Sequence, residues 1–129
     1  VARPGSVSYS RHMVEVYASE GFDRWLRKLK DRQGRLRILE RIDRLAHGNP
    51  GDVKSVGQGV LELRLSSGPG YRVYFTQHGD RLVLLLCGGD KSTQQQDIEK
   101  AIGRKVDVLT PNGINRYLKE RILHEAAPL

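Results

Sequence analysis

VLELRLSSGPGYRVYFTQHGDRLVLLLCGGDKST, residues 60–93, is the stretch of this chain that decides its fold. It predicts three strands, over residues 60–65, 71–76 and 82–87, because branched and aromatic residues run between clusters of Gly, Pro, Asp and Ser. The short Gly79-Asp80 link predicts a tight turn between the second and third strands. An antiparallel meander is therefore expected.

Alternation along these strands predicts what each face of the sheet carries, since successive side chains point to opposite sides. One face is expected to pack inward, through Leu61, Leu63, Leu65, Tyr71, Val73 and Phe75. The other face is expected to be open and to carry Glu62, Arg64, Arg72, Tyr74 and Thr76. With Lys91 just beyond the third strand, this face gathers cations that suit a phosphodiester.

The flanking sequence supplies the remaining elements. Residues 14–17 predict a short strand, and a helix follows Ser19, a candidate N-cap. A second helix is expected over residues 36–46, a loop over 49–59, and a last helix from Ser92 to near Gly103. The expected fold is α+β, with an antiparallel sheet of about four strands, a helical hairpin on one face and a C-terminal helix.

The 129 residues are enough for one domain with a real core. We expect the domain to span residues 13–103, with Met13 as the natural start. Residues 1–12 are either an appended sequence or a flexible arm, and residues 104–129 form an extension that is partly helical. A single cysteine and the lack of a long apolar run favour a cytoplasmic protein without a membrane span.

Positive charge concentrates on the predicted helical hairpin. Residues 22–48 contain nine Lys or Arg against four acids, within a chain of net charge +7. Such a surface attracts polyanions, although a solvated helix exterior with internal charge pairs is the alternative for any single residue. The RNA-binding candidates here and in the following loop are Lys28, Lys30, Arg35, Arg41 and Lys54.

Three motifs carry a resemblance to a known family: ELR at residues 62–64, GPGYRVYF at 68–75 and LLLCGGDKS at 84–92. Together they resemble the RelE/ParE superfamily of toxins from type II toxin–antitoxin modules, most closely the HigB-like addiction module killer proteins. The resemblance covers about residues 13–103. It implies a RelE-like fold and an mRNA-cleaving toxin, ribosome-dependent, silenced by a cognate antitoxin of helix-turn-helix type.

The same resemblance implies a reaction without metal or cofactor, in which the RNA 2′-hydroxyl attacks the neighbouring phosphodiester. The family's functional positions fall on Arg64, Arg72 and Lys91. Guanidinium groups bind phosphate bidentately, which suits the two arginines. Lys91 is expected to act as a general acid or base or as a phosphate clamp, and Tyr74 to stack on a base or donate a proton.

Other interpretations remain open at this point. Glu62 and Arg64 could simply pair on a solvated face, Lys91 could be a surface turn residue, and Tyr74 could be sheet packing. At the level of function, the alternatives are a ParE-like gyrase inhibitor without nuclease activity and a non-toxic scaffold whose C-terminal segment blocks the open face. Arg72 is expected to be exposed.

Overall fold

The structure is a computed structural model and describes residues 14–107 and 114–115. The strands are β1 (Glu15–Ser19), β2 (Val53–Gly57), β3 (Val60–Arg64), β4 (Arg72–His78), β5 (Leu82–Gly89) and β6 (Ile114–Asn115). The helices are α1 (Glu20–Lys28), α2 (Arg32–Ala46) and α3 (Gln94–Asp107), and a 3₁₀ turn (Lys91–Thr93) leads into α3. The mixed α+β class expected from the sequence is confirmed.

One mixed sheet runs in the order β2-β3-β4-β5-β1-β6. β2 to β5 form an antiparallel meander, whereas β1 lies parallel to β5. The expectation of a wholly antiparallel sheet of about four strands is therefore wrong. The two helices that follow β1 carry the chain across one face to β2, at the opposite edge of the sheet, so β1 need not be antiparallel to its neighbour.

β2 occupies residues that the sequence predicts as loop. It pairs with β3 through Val53↔Leu63, Lys54↔Glu62 and Ser55↔Leu61. The segment has exposed Lys54 and Ser55 and ends in a glycine, so it lacks the apolar alternation that marks a half-buried strand. Pairing with β3, rather than its own composition, makes it a strand.

The α1–α2 hairpin packs on one face of the sheet, as predicted. The core on this side joins Phe22, Ile38 and Ile42 of the helices to sheet residues such as Val73 and Phe75. Ser19 is the N-cap of α1, because its hydroxyl accepts a hydrogen bond from the Phe22 amide at 3.1 Å. Gly88 lies under the Trp25 ring, and a Cβ there would overlap it.

The second face of the sheet is covered by α3, which corrects the expectation that this face is open. Tyr74, Leu84 and Leu86 pack there with Ala101 and form a second core. The helix continues past Gly103 to Asp107. The predicted strand segments did not indicate this cover, because it is supplied by α3 through only a few apolar side chains (Ile98, Ala101 and Ile102).

A β-bulge in β5 adjusts that strand to the two cores. Tyr74 pairs with Cys87 and Phe75 with Leu85, which leaves Leu86 as the extra residue. The Leu86 carbonyl accepts hydrogen bonds from the Ser19 hydroxyl at 2.6 Å and from Arg104 Nη1 at 3.2 Å. The bulge therefore links the start of α1 to α3.

The flanks fall largely outside the described residues, including residues 1–12 and most of 104–129. Of the C-terminal extension, residues 104–107 complete α3, and β6 pairs with β1 through Ala18↔Asn115 and Ser19↔Ile114. β6 therefore lies beyond β1, whereas Arg64 and Arg72 lie on β3 and β4. No helix in the described part of the chain is long and apolar enough to cross a membrane.

Candidate active site

The ends of three strands bring the predicted cationic residues into one cleft. Arg64 ends β3 opposite Arg72, the first residue of β4, and Arg72 in turn pairs with Gly89, the last residue of β5. Lys91 follows two residues later. The cleft has a volume of about 310 Å³, and its walls consist of Asp52, Arg64, Leu65, Ser66, Gly68, Pro69, Gly70, Arg72 and Lys91.

A buried carboxylate lies between the two arginines. Glu62 is fully buried, with Arg64 Nε 3.9 Å from its Oε1 and Arg72 Nε 3.8 Å from its Oε2. Oε2 also accepts hydrogen bonds from the Tyr74 hydroxyl and the Gln94 side-chain amide, both at 2.8 Å. The carboxylate is therefore anchored at Oε2 by β4 and α3 while it faces both guanidinium groups.

Arg72 is buried, which corrects the expectation that it is exposed. Its side chain is only 8% accessible. Nη1 lies 3.5 Å from both the Leu65 and Tyr71 carbonyls, at the limit of a hydrogen bond, and Nε has no hydrogen-bond partner among the described residues. The guanidinium is thus held in the cleft wall, and only its Nη atoms can meet a ligand, because Nε is buried.

Arg64 is the more accessible of the two arginines. Its side chain is 36% exposed, and its Nε lies 3.8 Å from the carboxylate of Asp52, which is itself largely exposed. The Arg64 amide donates to the Asp52 carbonyl at 2.9 Å, so the end of β3 is fixed to the chain just before β2. Arg64 can therefore reach a ligand in the cleft from a rigid backbone.

Lys91 lies at the mouth of the cleft. Its side chain is exposed, and within residues 14–107 and 114–115 its ammonium contacts no acceptor. Asp90 caps the 3₁₀ turn by accepting from the Ser92 amide at 2.8 Å, which fixes the backbone from which Lys91 projects. Gly70 has φ +75°, and a Cβ there would lie 3.3 Å from Lys91 Cβ, so glycine keeps this side of the mouth open.

Tyr74 does not line the cleft. It is fully buried in the second core, and burial together with its hydrogen bond to Glu62 raises the pKa of its hydroxyl above the usual 10.0. A ring enclosed in this way cannot stack on a base. The expected catalytic role of Tyr74 is therefore corrected to a structural one, the anchoring of Glu62.

The five RNA-binding candidates fall into two groups. Lys28, Lys30 and Lys54 are exposed and their ammonium groups have no partner in the described parts of the chain. Arg35 is half-buried, and its Nη1 donates to the Leu29 carbonyl at 3.2 Å across the α1–α2 turn. Only the three lysines are therefore free to meet a polyanion.

Arg41 is a structural residue behind the cleft wall. Its guanidinium donates to the carbonyls of Arg64 at 2.7 Å and of Pro50 at 2.9 Å, so it ties α2 to the end of β3 and to the loop before β2. Burial, and secondarily the charge of Arg44, lowers its pKa. Both Nη atoms are already engaged and Nε is buried, which leaves Arg41 unsuited to the RNA contact expected from the sequence.

Glu62 and Gln94 are the site residues whose importance the sequence did not reveal. The alternation of β3 predicts the correct face for Glu62, but the same reasoning predicts that this face is open. A glutamate directly opposite a tyrosine in a predicted strand pair was the available signal. Gln94 could not be found in this way, because its contact depends on how α3 docks.

A comparison with protein-family models identifies a family for this chain. Residues 24–107 match the family described as Phage derived protein Gp49-like (DUF891). A relative from Haemophilus influenzae, described as an uncharacterized protein, is 50% identical over 88 residues, which cover 68% of this chain and 89% of the relative. No solved structure matches the chain.

Proposed function

This chain belongs to the Gp49-like family, which is associated with toxin–antitoxin modules, and we propose that it is the toxin of such a module. Its proposed activity is that of a metal-independent endoribonuclease that cleaves mRNA on the ribosome, as in HigB-like members of the RelE/ParE superfamily. The family implies an antitoxin partner. We propose that this partner is of the helix-turn-helix type.

The observation that carries the proposal is the convergence of Arg64, Arg72 and Lys91 on one accessible cleft. The three cations outnumber the two carboxylates, Glu62 and Asp52, that contact them. A phosphodiester carries one negative charge, which increases as the reaction proceeds. A preorganised cluster of cations is a strong way to stabilise that change.

The proposed reaction is an in-line transfer at phosphorus. The 2′-hydroxyl oxygen attacks the adjacent phosphorus, the bond from phosphorus to the 5′-oxygen breaks, and the products end in a 2′,3′-cyclic phosphate and a 5′-hydroxyl. The 2′-hydroxyl gives up a proton, and the leaving 5′-oxygen takes one up. Arg64 and Arg72 would hold the non-bridging oxygens, whose negative charge increases in the transition state.

Lys91 is the residue we propose for contact with the attacking or leaving oxygen. It is the most exposed of the three cations, and its ammonium is not engaged by any described residue. An ammonium near a developing alkoxide stabilises it or donates its proton. Tyr74 has no part in this reaction, because its hydroxyl is buried against Glu62.

The exposed lysines extend the positive surface over which mRNA would pass. Lys54 lies on β2 opposite Glu62, and Lys28 and Lys30 lie at the end of α1 and in the turn after it. Such charges accelerate encounter with a polyanion and make binding depend on salt. An acidic segment of the antitoxin is proposed to mask the same surface.

The test is cleavage of a defined mRNA by the antitoxin-free protein, which is stripped of metal with EDTA beforehand and then assayed with and without ribosomes in a buffer containing Mg²⁺. We expect cuts with 5′-hydroxyl ends, positioned by codon when ribosomes are present. Lys91→Ala should reduce the cleavage rate about 100-fold or more. Lys100→Ala, which removes an exposed lysine on α3 outside the cleft, should leave the rate unchanged.

Absence of cleavage by the folded wild-type protein under these conditions would refute the proposal. A parallel assay of DNA supercoiling by gyrase addresses the alternative toxin activity. Inhibition of gyrase that persists in Lys91→Ala would identify the protein as a ParE-like inhibitor instead.

A further inference from the structure

We propose that Glu62 is a positioning residue, which fixes the guanidinium groups of Arg64 and Arg72 for a phosphodiester without itself touching RNA. The inference rests on the proposed function, since it concerns the same cleft. The juxtaposition behind it is one fully buried carboxylate facing two arginines, with a different oxygen toward each.

The carboxylate is itself held in place. Two neutral donors, the Tyr74 hydroxyl and the Gln94 amide, both bind Oε2 at 2.8 Å. Oε1 has no hydrogen bond among the described residues. The Glu62 side chain therefore has a defined orientation that depends on β4 and α3 rather than on the arginines.

The distances to the arginines are those of charge attraction rather than hydrogen bonding. At 3.8 and 3.9 Å, the Nε atoms lie beyond the usual range of an N–H···O bond. Glu62 faces the buried Nε atoms. It can therefore restrain both guanidinium groups electrostatically and still leave their Nη donors for phosphate oxygens. A carboxylate that bound either arginine bidentately would compete with the substrate for those donors.

Stability alone is a poor reason to keep such a group. Burial of a carboxylate is costly, and ion pairs in protein interiors often stabilise no better than apolar side chains of the same volume. The restraint of Arg64 and Arg72 provides a functional reason for the buried charge of Glu62. Residues that orient catalytic groups typically affect activity about 10-fold to 100-fold when they are changed.

The decisive variant is Glu62→Gln, compared with Glu99→Gln, the same change at an exposed position on α3. Glutamine keeps the volume and an oxygen that accepts from Tyr74, but it loses the charge and turns an amide toward Arg64. We expect kcat for RNA cleavage to fall at least about 10-fold, while KM stays equal or falls because the cleft becomes more positive. A merely structural role would lower thermal stability without this division between kcat and KM.

An NMR measurement tests the positioning role of Glu62 without an activity assay. The Nε–H signals of Arg64 and Arg72 in ¹⁵N NMR should be dispersed in the wild type and move toward free-arginine positions in Glu62→Gln. Glu99→Gln should leave them in place. If the wild type does not cleave RNA but the signals behave in this way, the proposed function fails while the positioning role stands.

Gln94→Ala provides a second route in case Glu62→Gln does not fold. It removes one anchor of Glu62 from a half-buried residue at the start of α3, and Gln95→Ala is its exposed neighbour and control. We expect a smaller fall in kcat with KM unchanged, and a partial shift of the arginine signals. Unchanged arginine signals in both Glu62→Gln and Gln94→Ala, or in Gln94→Ala alone if the former is unfolded, would overturn the inference.

Discussion

The two faces of the sheet are built from alternate residues of the same strands, yet they differ in kind. The hairpin face is almost wholly apolar, with Leu63, Val73 and Phe75 fully buried against α1 and α2. The α3 face buries Glu62 and Arg72 next to Tyr74. At one end this polar layer opens into the cleft with Arg64 and Lys91.

This difference separates the residues that stabilise the fold from those that serve the proposed cleavage. An apolar face contributes through area removed from water and close packing, and it tolerates changes that preserve volume. A buried polar layer contributes orientation, and each of its members depends on the others for a partner. Substitutions on the first face should therefore act on folding, and those on the second should act on cleavage as well.

The largest expected effect is on the hairpin face. Phe75→Ala removes a fully buried ring and should destabilise the fold by about 3–5 kcal/mol. Urea unfolding measures the change, and cleavage per folded molecule should remain that of the wild type. A specific loss of cleavage in the folded fraction would contradict the separation of the two faces.

Two linked variants test the role of Arg72 on the α3 face. Arg72→Met should lower kcat by about 100-fold to 1000-fold and should also destabilise the fold by about 3 kcal/mol, because the Glu62 charge then stays buried without a main partner. Glu62→Gln/Arg72→Met removes both charges and keeps an acceptor for Tyr74.

The double variant should regain most of the stability lost in Arg72→Met and none of the cleavage. Thermal unfolding and cleavage assays on the same samples measure both quantities. Recovery of cleavage together with stability would mean that Arg72 acts only through the fold, contrary to its proposed contact with phosphate.

The exposed lysines near the end of α1 should show a smaller effect, limited to binding. Lys28→Ala/Lys30→Ala should reduce the slope of log affinity against log salt concentration by about 1.4, since each of the two lost contacts with single-stranded phosphate contributes about 0.7. Fluorescence anisotropy with a 2′-deoxy-blocked RNA measures the slope. Lys100→Ala is the control, and an equal change of slope in that variant would indicate a non-specific effect of net charge.

The smallest effect concerns the contact between the sheet and the start of α2. The Tyr71 hydroxyl donates to Asp31 Oδ2 at 2.9 Å, and burial, followed by this hydrogen bond, raises the pKa of Tyr71 from 10.0 to about 12. A raised pKa of this kind stabilises the fold fully below pH 10.0 and ceases to do so as the pH rises toward 12. Tyr71→Phe should therefore lose less stability than the wild type between these values in alkaline unfolding experiments.

Much of the molecule was accessible from the sequence. The meander, the hairpin on one face and the N-cap at Ser19 follow from local patterns that the structure confirms. The convergence of Arg64, Arg72 and Lys91 could also be predicted from the sequence, because pairing brings together residues at the ends of neighbouring strands. β2 could not be predicted from the sequence, since its residues become a strand only by pairing with β3.

Alternation along β3 and β4 by itself determined that Glu62, Arg64, Arg72 and Tyr74 share a face, because the two-residue period of a strand is a local property of the backbone. Only the tertiary structure decided that this face is covered and that Glu62 lies buried between two arginines. The covering helix α3 follows β5 and lies outside β3 and β4 in the sequence, so the alternation along those two strands gives no sign of where it packs. Burial is a property of the whole fold. The burial of Glu62 and Arg72 therefore became known only from the position in which α3 packs.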